Sequence, residues 1–169
     1  KKDDSMFTEE ELAVIKEGLH RCSGLESFSP ALECKPDMDE INGLVAASIH
    51  DYFDPVLAKK EKVRFRVRAR RSDKTFPLRS KDIEIAVATK VEEMFGASRL
   101  KVDLTGAEVT IGVEVRDVNA MVYYTSYNGA GGLPVGSNSP VLALLSGGID
   151  SPVACKMIMN RGCHVDYLT

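Results

Sequence analysis

Leu12, Ile15 and Leu19 recur at helical spacing behind Thr8 and the acidic run Glu9, Glu10 and Glu11. That pattern predicts a helix with Thr8 as its N-cap, Glu11 completing a capping box, and Gly24 as its end. Ser27 to Cys34 reads as a short strand. Asp37 predicts the start of a second helix carrying Ile41, Leu44, Val45, Ser48 and Ile49 on one side, stopped by Pro55. From Val63 to Arg71 basic and apolar residues alternate, the period of a strand with two unlike faces. Ile83, Val87, Val91 and Met94 return to helical spacing after Ser80 or Asp82, and Gly96 closes that helix. Leu100–Leu104, Val109–Arg116 and Ala120–Tyr127 read as strands, with Gly106 separating the first pair and Asp117, Val118 and Asn119 supplying hairpin turn chemistry for the second.

Asn128 to Pro140 breaks the pattern. It holds Gly129, Gly131, Gly132, Gly136, Pro134 and Pro140 and no charge, and reads as a linker. Beyond it, Val141–Leu145 is an unbroken apolar run, as in a parallel strand buried on both faces. A glycine loop, a helix from Pro152 to about Arg161 ended by Gly162, and a strand from Cys163 to Leu168 complete one strand–helix–strand unit. A single such unit cannot cover both faces of a parallel sheet, so the reading expects a truncated chain, a piece of a longer protein.

The 169 residues suit one compact domain or two small ones, and 44% apolar content provides for a core. No apolar run approaches membrane-spanning length and no secretory leader is visible, so the expected compartment is cytoplasmic, with no membrane partner. Cys22, Cys34, Cys155 and Cys163 lack zinc spacing and read as reduced thiols. The net charge of −3 conceals an asymmetry. Residues 1–54 carry −8, residues 59–81 carry +9, and residues 82–169 carry −4. The middle window holds 11 of the 22 Lys and Arg residues.

Within that window Arg64, Arg66, Arg68 and Arg70 occupy every second position, so a strand places all four on one face and Phe65, Val67 and Ala69 on the other. Lys62 precedes them, and Arg71, Lys74, Arg79 and Lys81 follow. Such a face is either solvated and paired with acids or built for phosphate; the concentration of arginine favours phosphate. Phe76 to Ser80 can form a loop leading to a helix N-terminus, a second place for phosphate. Tyr123, Tyr124 and Tyr127 read as packing residues rather than stacking platforms. His20, His50 and His164 suggest no catalytic pair.

Ser146-Gly147-Gly148-Ile149-Asp150-Ser151 stands between a predicted strand and a predicted helix. Two glycines permit a sharp turn with positive φ and a close backbone approach to a ligand, and N–H groups at a helix start attract anions. Ser151 is expected as the N-cap and Pro152 as the first helical residue. The hydroxyls of Ser146 and Ser151 can donate to phosphate, and Asp150 can ligate Mg²⁺. The bland alternative is a tight glycine turn. The segment is neither a Walker A loop nor GxGxxG.

This hydroxyl-Gly-Gly-x-acid-hydroxyl pattern resembles the signature of the PP-loop ATP pyrophosphatases. With Gly131 to Gly136, Val141 to Leu145, the run through Ala154, and Arg161-Gly162-Cys163, the chain resembles the tRNA sulfurtransferases that make 4-thiouridine; upstream it resembles a THUMP domain. The resemblance implies an α/β chain: an α+β THUMP domain at 28–128 and the first βαβ unit of a parallel-sheet, Rossmann-like PP-loop domain at 141–169. It further implies that 1–27 is the remnant of an N-terminal ferredoxin-like domain and 129–140 a linker. It implies ATP and Mg²⁺ as cofactors, with Leu144, Leu145 and Thr169 at adenine, Ser146, Gly147, Gly148, Ile149 and Ser151 around phosphate, and Asp150 as the catalytic or Mg²⁺-binding acid. It implies tRNA as partner, bound by Lys62, Arg64, Arg66, Arg68, Arg70, Arg71, Lys74, Arg79 and Lys81. A uridine carbonyl would be adenylated and its oxygen replaced by sulfur from a persulfide donor of the cysteine desulfurase type. Relatives also serve thiamine biosynthesis, and a homodimer is compatible with the sequence. The family's reactive cysteine falls beyond Thr169, so this polypeptide alone is expected not to complete thiolation. Two alternatives stay open: a non-catalytic tRNA-binding module, and another PP-loop amide-forming synthetase.

Overall fold

The computed structural model describes residues 7–169. In chain order the elements are α1 (Glu9–His20), β1 (Ser27–Phe28), β2 (Leu32–Cys34), α2 (Met38–Ser48), α3 (His50–Leu57), β3 (Val63–Arg71), α4 (Ser80–Phe95), β4 (Leu100–Val102), β5 (Val109–Val115), β6 (Ala120–Tyr123), β7 (Tyr127–Asn128), β8 (Leu133–Leu144), α5 (Asp150–Met159) and β9 (Arg161–Leu168). They fall into two compact units. One comprises residues 29–125; the other joins residues 7–28 to residues 126–169.

The first unit is a five-stranded mixed sheet in the order β2-β6-β5-β3-β4. Strand β3 runs parallel to β4 and β5, and β6 runs antiparallel to β5 and β2. Apolar residues recur every fourth position: Ile41, Val45, Ile49 and Phe53 from α2, the junction and α3, and Ile83, Val87, Val91 and Phe95 from α4. These pack with Val63, Phe65, Val67 and Ala69 of β3 and with Val109, Ile111, Val113 and Val115 of β5. Burial of these side chains is the main stabilising term for this unit. Because successive side chains of a strand point to opposite faces, this core fixes which residues of β3, β5 and β6 face outward. Asp37 caps α2, accepting from the N–H groups of Asp39 and Glu40. Gly96 ends α4 at φ +81°, a conformation that favours glycine.

Some local expectations change. The predicted strand over Ser27–Cys34 is two strands in different sheets, with Pro30 between them. Pro55 does not stop the second helix; it lies inside α3, and the irregularity falls earlier, at Ile49 between α2 and α3. The helix therefore ends at Leu57, where Phe53 has already been delivered to the core.

In the second unit, α1 carries the expected capping box, in which the N–H of Glu11 donates to Thr8 Oγ1 and the N–H of Thr8 to Glu11 Oε2. The short pair β1–β7 is antiparallel, and β8–β9 is a parallel pair joined through α5. Among the described residues of this unit, Cys155 and Val165 are the buried hydrophobic side chains. Leu142, Leu144, Val153 and Met157 are all more than half exposed. The segment expected to be a linker is mostly strand, since β8 begins at Leu133 rather than Val141. Its glycines serve close backbone approaches. A Cβ on Gly129 would sit 1.9 Å from Leu25 O, and one on Gly132 would sit 2.4 Å from Asn160 O. Gly162 does not end α5; the helix stops at Met159 and Gly162 lies within β9 at φ +87°.

Candidate functional site

The corner between β8 and α5 is a loop closed by its own hydroxyls. The N–H of Ser146 donates to Ser151 Oγ at 3.1 Å, and the two serine Oγ atoms are 3.2 Å apart. Ser151 Oγ also lies 3.0 Å from Ser146 O and 3.3 Å from Gly148 O. Gly148 N–H reaches Ser146 Oγ at 3.4 Å. Ser151 is thus turned back into the loop, and it is not the N-cap; α5 starts at Asp150 with Ile149 as N-cap and no side-chain cap. An uncapped helix start leaves its first N–H groups to solvent or a ligand.

The role of the glycines also differs from expectation. Neither Gly147 nor Gly148 takes a positive φ. A Cβ placed on Gly147 would meet nothing within 4 Å, and one on Gly148 would meet only Ser146 Oγ, at 3.6 Å. Neither the fold nor the backbone conformation demands glycine here. What the missing Cβ provides is open space against the main chain, the requirement of a group that must come close to N–H donors.

Leu144 pairs with Leu168, and Leu145 N–H donates to Leu168 O at 2.8 Å, so Leu144, Leu145 and the following Thr169 meet at the C-terminal ends of the parallel strands. That edge is where ligands of open parallel sheets bind. Asp150 and Ile149 are exposed beside it. Among the described residues, no group of three or more His, Cys, Asp or Glu could hold a metal. Asp150 is a single carboxylate, which suits Mg²⁺ carried largely by a polyphosphate rather than a protein-built cage.

A second candidate lies on the sheet of residues 29–125. Val63, Phe65, Val67 and Ala69 are buried, which turns Arg64, Arg66, Arg68 and Arg70 to the helix-free face as the alternation predicts. The structure then divides the basic residues by what they touch. Arg64 is held between Asp103, at 4.0 Å, and Glu108, at 3.6 Å. Arg66 donates through Nε to Thr110 Oγ1 and through Nη1 to Leu104 O. Arg71 braces the following loop through the carbonyls of Lys74 and Phe76. Lys81 pairs with Glu84, while the N–H of Arg79 donates to Asp82 at the start of α4. The side chains of Arg68 and Arg70 are exposed and have no partner among the described residues, and Lys62, Lys74 and Arg79 are exposed as well.

The acids that restrain Arg64 are themselves perturbed. N–H groups of Gly106 and then Thr105 hold the Asp103 carboxyl below its ordinary value, with Arg64 adding to the effect. Lys60, and then the N–H of Arg64, do the same for Glu108. The three tyrosines pack as expected. Tyr124 stacks on Tyr52 and bonds Ser48, and burial pushes its hydroxyl up to about 12. Tyr127 stacks on Phe28. The Tyr123 ring packs on Gly112, a seat that sequence periodicity does not reveal.

Comparison with known proteins fits both places. Residues 35–125 match the THUMP domain, and residues 136–169 match the thiamine biosynthesis protein (ThiI) family. The probable tRNA sulfurtransferase of Methanocaldococcus jannaschii is 37% identical over 150 residues, covering 89% of this chain and 38% of that protein. That of Lysinibacillus sphaericus is 36% identical over 169 residues, covering 98% of this chain and 40% of that protein. The chain therefore spans about two-fifths of the relatives it matches. A crystal structure from Pyrococcus horikoshii superposes with a TM-score of 0.78 at 28% identity, covering 97% of this chain and 56% of that one. A 4-thiouridine synthetase–RNA complex with bound ATP gives 0.68 at 26% identity, covering 97% and 39%. With a sheet unit matched over 35–125 and a glycine corner inside the second match, the chain belongs to the THUMP-domain family, in the arrangement found in the tRNA sulfurtransferases.

Proposed function

We propose that this chain is the RNA-binding and ATP-phosphate-binding part of an ATP-dependent tRNA uridine sulfurtransferase. One observation carries the reading: a THUMP match with two arginines that have no partner among the described residues, on its helix-free sheet face, stands in the same chain as a glycine corner that no fold constraint explains. Arg68 and Arg70, with Lys62, Lys74 and Arg79, bind tRNA phosphates; Arg64, Arg66 and Arg71 keep the surface in register. Base identity contributes little to such contacts, so recognition depends on the shape of the tRNA.

At the corner, Gly147 and the uncapped start of α5 receive the ATP phosphates. Ser146 and Ser151 fix the loop across the corner, Asp150 faces Mg²⁺, and Leu144, Leu145 and Thr169 border the adenine. When bound, ATP supplies an adenylyl group that turns a uridine carbonyl oxygen into a leaving group. This chain's own share is positioning and charge neutralisation. The sulfur would come from a persulfide donor protein, and the compartment would be the cytoplasm. The ThiI match supports a link to thiamine biosynthesis.

Titration of the chain with ATP and Mg²⁺, and separately with tRNA, tests the reading. Saturable binding of both is expected, with tRNA affinity falling steeply as salt rises. Absence of ATP binding would reduce the chain to an RNA-binding module; absence of tRNA binding would favour another PP-loop enzyme.

A further inference from the structure

Gly112 lies on β5 between Arg68 of β3 and Tyr123 of β6. A Cβ on Gly112 would fall 2.2–2.6 Å from ring carbons of Tyr123. The aromatic ring therefore lies over the glycine, on the helix-free face, since Val122 and Ala120 of the same strand point into the core. Neighbouring strands are about 4.8 Å apart, so the stem of Arg68 rises one strand spacing from the glycine on which the ring sits. Glu114, the register partner of Arg70, is engaged by Arg116 at 2.8 Å, which leaves Arg70 without an acid among the described residues. The sheet face thus offers a partly exposed aromatic ring beside two guanidinium groups that no acid among the described residues compensates.

Taking the tRNA-binding reading above as its basis, we propose that Tyr123, seated on Gly112 beside Arg68, is a stacking platform for an unpaired nucleotide of the bound RNA. A paired base already stacks on both sides, whereas an unpaired base has a free π-face for an aromatic ring. The phosphate of the same nucleotide would lie within reach of Arg68. An aromatic ring over a cross-strand glycine can also serve the sheet alone, by covering the gap. The two roles separate experimentally.

The chain and its Tyr123→Phe, Tyr123→Leu, Tyr123→Trp and Arg68→Glu/Arg70→Glu variants are titrated with tRNA and with a blunt, fully paired RNA duplex, over a range of salt. Tyr123→Leu still covers Gly112 but cannot stack, and should weaken tRNA binding by roughly tenfold or more. Duplex affinity and the salt slope should stay as in the parent, because no charge has changed. Tyr123→Phe should match the parent. Tyr123→Trp, with the larger ring, should bind tRNA more tightly, an effect that destabilisation cannot imitate and that decides the matter if Tyr123→Leu fails to fold. Equal loss on tRNA and duplex with Tyr123→Leu, or no gain with Tyr123→Trp, overturns the platform. If Arg68→Glu/Arg70→Glu weakens tRNA while Tyr123→Leu does not, the platform fails and the arginine face stands; if neither variant changes binding, both fail.

Discussion

Ser151 Oγ accepts the N–H of Ser146 across the glycine corner at 3.1 Å, so a residue at the start of α5 fixes the end of β8. Ser151→Ala should cost about 1 kcal/mol of local stability through the lost bond. It should also weaken binding of a non-hydrolysable ATP analogue, while Ser151→Thr, which keeps the Oγ, should restore most of it. Calorimetric titration of the three proteins checks this. Equal affinity for parent and Ser151→Ala would show that the closure is irrelevant to nucleotide.

At Gly147 a ligand-binding role and a structural role for the glycine give different outcomes. Its Cβ position is open and its φ is not positive, so Gly147→Ala should leave folding intact or stabilise it by about 0.4–1 kcal/mol through the unfolded chain. Nucleotide binding should nevertheless fall, because the new methyl occupies the space a phosphate must enter. A thermal melt paired with an ATP-analogue titration reads both effects. A stable variant with unchanged affinity would remove Gly147 from the site.

On the sheet face, Arg68→Glu/Arg70→Glu should lower the magnitude of the slope of log K against log salt by about two, roughly one for each phosphate contact removed. Arg64→Gln should behave otherwise. It frees Asp103 from its cation and leaves Glu108 with Lys60, and its main effect should appear in unfolding rather than in the salt slope. Filter-binding titrations at several salt concentrations, beside urea unfolding curves, distinguish the two classes.

Asp103 and Glu108 link stability to acidity. Both carboxyls are held below their ordinary values of 3.8 and 4.5 in the folded chain. A depressed folded value means that stabilisation is complete above the ordinary value and disappears as pH falls through the folded one. Urea midpoints should therefore be flat from neutral pH to about 5 and decline below it. In Asp103→Asn/Glu108→Gln the decline should be shallower, with a lower plateau at neutral pH. Parallel curves for parent and variant would contradict the assignment.

Much of this protein follows from spacing along the chain. The alternation from Val63 to Arg71 determined both the strand and its two faces, because a strand has only two sides and burial of Phe65 and Val67 settles which is which. Recurrence every fourth residue gave α4 its inward stripe, and Gly96 gave its end at the expected position. The glycine-serine hexapeptide marked the strand-to-helix corner in the same local way.

Other features depend on residues distant in sequence. Whether an arginine of β3 is free or occupied was decided by Asp103, Glu108 and Thr110, which arrive on or beside neighbouring strands. The seat of Tyr123 required the register of β6 on β5, and the course of residues 129–140 required Leu25 and Asn160 as neighbours. Pro55 misled because it lies within the last turn of α3, which runs on to Leu57 after Phe53 has reached the core. Sequence alone determined the faces of β3 and α4 and the end of α4, since these depend on local period and backbone geometry. The tertiary structure decided which charges are compensated and which glycines are crowded, since both depend on strand register.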